Sequence, residues 1–210
     1  MLKKIKENKL LTFGIILLIM GVVIYTTSLI INKISESKEL SRIDEFIEST
    51  DDINQNMPVL EEKSAEQATD SSNTINYSMI VEISRIGLKK GLFEINSKYN
   101  DINYNIAILS ESDMPNITNG TLILASHNGN SNISYFRNLN KLQINDSVEI
   151  YYKGIKYVYK IVNYYEAQKT GSIVIKTESN KTSIALISCK PNTHDMQIVY
   201  IGELESKGEY

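Results

Sequence analysis

Cys189 is the only cysteine among 210 residues, and His127 and His194 are the only histidines, so few reactive side chains could cooperate. A lone cysteine cannot serve an internal disulfide and is a free thiol. Beside an imidazole, a thiol can pass its proton across. That leaves a thiolate nucleophile at neutral pH and an imidazolium acid poised for a leaving amine. Such a pair reads as acyl transfer. The bland alternative is that Cys189 is a small buried hydrophobe, the commoner fate of a free cysteine. His127 is the preferred partner, because it follows the apolar run TLILAS and opens into Asn128-Gly129-Asn130. His194 lies in the same loop as Cys189, with no second strand to fix its direction. A metal set built from Cys189, His194, Asp195 and His127 lacks the paired CxxC or HxxxH spacing that marks such sites, so no cofactor is expected.

Positioning such a pair takes rigid elements, and both residues stand at the ends of apolar runs. Cys189 closes SIALIS and begins the loop KPNTHDM. From Tyr77 onward the chain consists of short apolar or alternating segments separated by turn residues, the pattern of an all-β sandwich or barrel. The expected strands are Met79–Ser84, Ile106–Leu109, Thr121–Ser126, Ser147–Tyr152, Ile155–Val162, Ser172–Ile175, Ser183–Ser188 and Gln197–Leu204. Eight strands can close a barrel. Lys153-Gly154 sits between two alternating runs as a tight hairpin turn would. The one helical signal is the short stretch from Ile133 to Leu139.

Charge divides the chain into three parts. Residues 1–35 carry five lysines and one glutamate, residues 36–76 carry eleven acids and three bases, and residues 77–210 are nearly balanced. A near-neutral main segment without a basic run argues against nucleic acid as its ligand. Leu10 to Ile31 is 22 residues without a charge, which as a helix would reach about 33 Å, enough to cross a bilayer core. Lys3, Lys4, Lys6 and Lys9 crowd its N-terminal side, so the positive-inside tendency puts the N-terminus in the cytoplasm and the bulk of the chain outside. The run exceeds the apolar core of a signal peptide, usually about 7–15 residues, and no A-x-A site follows it, so a retained anchor is expected. The expected organisation is a cytoplasmic tail over 1–9, an anchor over 10–32, an acidic extracellular linker over 33–76, a folded domain over 77–206 and a polar tail over 207–210. Leu40, Ile43 and Ile47 have helical spacing, consistent with a short helix continuing the anchor. The rest of the linker reads as disordered.

The order of segments in the folded domain resembles the sortase family of cysteine transpeptidases of Gram-positive bacteria. VEISRIGLKKGLFE is similar to that family's opening strand, TLILASHNGN with SYFRNLNKLQINDSVEI to its histidine segment, and SIALISCKPNTHDMQIVYIGEL to its cysteine strand, loop and last strand. The resemblance spans residues 77–206. It implies a sortase-type barrel in which Cys189 is the nucleophile that forms an acyl-thioester and His127 the general acid and base. The family's third residue is an arginine early in the last strand, and Gln197, or by a one-residue shift Met196, occupies that place here. Glutamine can donate hydrogen bonds but brings no charge. Arg137, Lys190 and His194 are the candidate substitute cations. Ser188 stands where the family has threonine, and Asn145 where it has glycine. With no long helical insertion before the cysteine strand and a polar C-terminus, the pattern points to a class A- or D-like member.

Two functions of different class follow. The resemblance implies a membrane-anchored transpeptidase that cleaves an LPxTG-type motif on secreted surface proteins and passes the product to a cell-wall precursor amine, without a cofactor. The alternative is a sortase-like domain that binds peptides with little or no turnover, motivated by Gln197. Asp113, Pro115 and the Asn-rich stretch after His127 are candidates to line a peptide groove.

Overall fold

The computed structural model describes residues 9–54 and 77–210. They divide into an N-terminal helical unit and a β-domain. Helix α1 runs over Lys9–Asn54, and its stretch Thr12–Glu48 is long and apolar enough to cross a membrane. The helix continues well past the apolar run into the acidic segment, as the spacing of Leu40, Ile43 and Ile47 anticipates. Residues 55–76, where the linker is expected to be disordered, lie outside the described residues.

The β-domain is one eight-stranded sheet made of β1 Met79–Ile83, β2 Leu88–Leu92, β3 Ala107–Ile108, β4 Thr121–Ala125, β5 Ser147–Tyr152, β6 Ile155–Gln168, β7 Ser183–Cys189 and β8 Met196–Glu209. The spatial order is β2-β1-β5-β6-β8-β7-β4-β3. Every neighbouring pair is antiparallel except β4 with β7. The sheet curls into a nearly closed barrel. At the open seam the buried Asn105, just before β3, donates its side-chain amide to Gly91 O of β2 at 2.8 Å. That bond links the two edge regions that the sheet's own ladder leaves apart.

Alternation along the strands creates two apolar layers. Inside the barrel, Val81, Ile83, Leu122, Leu124, Val148, Ile150, Tyr159, Ile161, Ile184 and Leu186 pack with Phe136 and Leu139. On the outer face of the β4-β7-β8 region, Ile123, Ala185, Ile187, Val199 and Ile201 form a second cluster with Tyr165, Ile173 and Ile175 against it.

Seven of the eight strands correspond to expected ones, and the differences have physical causes. The segment Ser172–Ile175 is not a strand; its isoleucines pack on the outer cluster from a connection that makes no ladder. The eighth strand is instead Leu88–Leu92, whose LKKGL sequence is poor in apolar residues because it is a sheet edge. There it pairs only with β1, and Lys89 reaches Glu82 at 3.8 Å. The expected helix from Ile133 to Leu139 is a series of turns ending in a 3₁₀ turn at Leu139–Lys141. The β5–β6 hairpin turns on Lys153 and Gly154, with φ of 50° and 75°, the paired positive values of a type I′ turn.

Candidate active site

The parallel pairing of β4 with β7 brings the two chemical residues together. Ala125 pairs with Ile187, and the ladder continues one step further, with Ser126 N–H donating to Ile187 O at 3.2 Å. His127 and Cys189 lie two residues beyond that pair on their respective strands. Side chains two apart on a strand share a face, so both fall on the outer face with Ala125 and Ile187. Both are half-buried.

Neighbouring bonds fix the ends of both strands. Buried Ser188 donates its hydroxyl to Ser126 O at 2.8 Å, and Asn128 donates its side-chain amide to Cys189 O at 2.9 Å. Phe136, fully buried in the barrel, donates its N–H to His127 O at 3.2 Å. The Phe136-Arg137-Asn138-Leu139 segment therefore acts as an anchor: two apolar side chains sink into the core and hold the end of the histidine strand. A metal alternative gains no support, since among the described residues no group of three or more His, Cys, Asp or Glu is placed to hold an ion.

On the other side of Cys189, the β7–β8 register puts Gln197 directly opposite it. Gln197 is half-buried and shares the outer face. Two of the candidate substitute cations, Lys190 and Arg137, are engaged elsewhere. Lys190 is one residue out of phase with Cys189 and pairs with Glu166 at 2.7 Å. Arg137 donates to the carbonyls of Ser134 and Ser131 and braces the loop after His127. His194 is exposed in the β7–β8 connection.

Two residues escaped the sequence reading. Lys169 places Nζ 3.8 Å from Cys189 Sγ. Tyr165 on β6 accepts from Lys176 N–H at 3.1 Å and donates to Val174 O at 2.8 Å, clasping the β6–β7 connection over the outer cluster. Burial pushes the Tyr165 phenol up, and the bond from the Lys176 amide partly offsets this. The signal for Tyr165 was the Tyr-rich run itself, which continues past Val162. Asp113, a groove candidate, accepts from Thr121 N–H at 3.1 Å at the start of β4. That is the far end of the strand, roughly 20 Å of extended chain from His127.

A free thiol and an imidazole thus stand at the ends of adjacent parallel strands on the outer face of the barrel. The chain belongs to the sortase family: the family's sortase-domain profile matches residues 81–205. No curated protein matches the sequence. Among solved structures it is similar to sortase A of Listeria monocytogenes, at 18% identity over 64% of this chain and 90% of that one, with a TM-score of 0.54. A sortase D5 transpeptidase of Clostridium perfringens is 21% identical over 62% and 80% of the two chains, with a TM-score of 0.53. Sortase C-1 of Actinomyces oris is 18% identical over 78% and 98%, with a TM-score of 0.55. These likenesses establish the fold, and the family is one of cysteine transpeptidases.

Proposed function

We propose that this chain is a membrane-anchored sortase in which Cys189 is the nucleophile and His127 the general acid and base. The observation that carries the reading is the β4–β7 register, which sets both residues on one face. In the first half-reaction the Cys189 proton moves to His127 and the thiolate attacks the scissile carbonyl. As the tetrahedral intermediate collapses, the C–N bond breaks and the imidazolium gives its proton to the leaving amine. An acyl-thioester remains on Cys189. In the second half-reaction an incoming amine attacks it, His127 takes the amine's proton, and the thiolate is released. Gln197 hydrogen-bonds a substrate carbonyl.

The substrate is an LPxTG-type sorting motif on a secreted surface protein, and the acceptor is a cell-wall precursor amine. Helix α1 is the anchor, with residues 1–9 in the cytoplasm and the segments from 33 onward outside. The domain spans 77–206, with 207–210 as a polar tail. The class is A- or D-like.

Intact-mass spectrometry of the full chain in detergent, incubated with a panel of sorting-motif peptides, tests this. An acyl adduct on the wild type that is absent from Cys189→Ala is expected, with slowed formation in His127→Ala. Gln197 in place of arginine favours a second reading, a peptide-binding domain with weak or no turnover. Peptide binding with no adduct, on a protein whose Cys189 alkylates freely, would select it.

A further inference from the structure

Gln197, opposite Cys189, carries no charge, and the structure supplies one from a different strand. Lys169 follows the last residue of β6. Its backbone N–H donates to Asp195 O at 2.7 Å, which extends the β6–β8 ladder by one more step. On that ladder Ala167 faces Gln197, and Gln197 faces Cys189. Lys169, two residues beyond Ala167, returns to the same face.

The side chain reaches that face only because of an irregularity in β6. Ile161 pairs with Gly202 but Asn163 pairs with Ile201, so Val162 is an extra residue. Before it, Tyr157, Tyr159 and Ile161 point into the barrel. After it, Tyr165 packs on the outer cluster. Without the bulge the odd-numbered residues would keep pointing inward, and Lys169 would be carried away from the thiol. With it, Nζ stands 3.8 Å from Cys189 Sγ.

We propose that Lys169 is the cationic catalytic residue of this site, an ammonium delivered from β6 in place of a guanidinium from β8. The proposal rests on the transpeptidase reading above and deepens it. Lys169 keeps its proton throughout, and no bond to it forms or breaks. Its charge stabilises the thiolate once His127 holds the Cys189 proton. When the C–S bond forms and the carbonyl electron pair moves onto oxygen, the same charge faces the oxyanion. Collapse restores the carbonyl and expels the amine with the His127 proton. Gln197, on the intervening strand, adds an uncharged donor.

The titratable groups on the elements packed against Cys189 are His127 at the end of β4, Lys169 at the end of β6, and His194 and Asp195 in the β7–β8 connection. Lys190 and Glu166 neutralise each other, each one residue out of phase with this face. Lys169 is thus the ammonium in contact with the thiol.

The test uses the full chain in detergent with Lys169→Met, Lys169→Arg and Lys169→Met/Gln197→Arg. Iodoacetamide alkylation of Cys189 is followed across pH, and acyl-adduct formation with a sorting peptide at pH 7. Lys169→Met should move the alkylation profile about one pH unit upward and slow alkylation at pH 7 about tenfold. Adduct formation should fall about 100-fold. Lys169→Arg should stay within about threefold of wild type, and the double variant should recover at least tenfold over Lys169→Met, on the order of the single-charge effect. Lys169 is exposed, so the thermal midpoint should not move. An alkylation profile in Lys169→Met that superimposes on wild type overturns the proposal, whatever the peptide does. If wild type forms no adduct with any peptide but the profile still shifts, the transpeptidase reading falls and the thiolate role of Lys169 stands.

Discussion

Ser188 lies at the strand ends, and its hydroxyl bond to Ser126 O, together with the Asn128 amide bond to Cys189 O, ties the cysteine strand to the histidine strand where both end. Removing it should leave a buried carbonyl unpaired, at a cost of about 1–2 kcal/mol, and loosen His127, the next residue along. Ser188→Ala is therefore expected to lower the urea midpoint and slow adduct formation several-fold. Ser188→Thr, which keeps the hydroxyl, should preserve the rate. A rate unaffected by Ser188→Ala would mean that the parallel ladder and the Asn128 bond to Cys189 O position the pair without it. At this scale the sequence was informative where a residue type is rare. Cys189 and His127 stood out because there are one cysteine and two histidines to choose from. Lys169 did not, since it is one of many lysines and only the strand's actual course brings it to the sulfur.

The same lesson governs the elements. Strand β6 is expected to end at Val162, and that residue is instead a bulge within a longer strand. Asn163 to Gln168 continue the ladder with β8 in the opposite phase, a change that a period-two reading registers as an end. The outward turn gives Tyr165 its work. Its hydroxyl holds both Val174 and Lys176, so Tyr165→Phe should free the β6–β7 connection while leaving the ring on the outer cluster. Faster proteolytic nicking within 169–182 is expected, with a raised peptide KM and little change in kcat. Equal nicking rates would show that Ile173 and Ile175 hold the connection by packing alone. Strand β8 has its own constraint at Gly202, where a Cβ would lie 2.9 Å from Ile184 Cγ2 and 3.3 Å from Lys160 O. Gly202→Ala should cost about 1–3 kcal/mol by overpacking, read as a drop in the denaturant midpoint with an unchanged m-value.

For the whole molecule, the barrel and its order of segments were legible because alternation, turns and the cysteine and histidine segments agree. The seam was not, since a single asparagine closing it carries no periodic signal. The tyrosines that fill the barrel give the fold a pH limit. Tyr159 is fully buried, and among the described residues its hydroxyl has no hydrogen-bond partner. Burial, with a smaller contribution from Tyr157, pushes its phenol well above the usual range. Burial also raises Tyr151, Tyr157 and Tyr200, with neighbouring carboxylates adding to Tyr151. Phenols ionise near pH 10 once the chain unfolds, so above that pH the unfolded state holds fewer protons than the folded one. Stability is therefore full below about pH 10 and falls as pH rises past it. Tyr159→Phe removes the most deeply buried of these groups together with an unpaired hydroxyl. It should leave the thermal midpoint at pH 7 unchanged or slightly higher, and the decline between about pH 10 and 11.5 should become shallower than in wild type. Parallel declines in the two proteins would mean that Tyr159 ionises as readily folded as unfolded, which its position at the centre of the barrel does not allow.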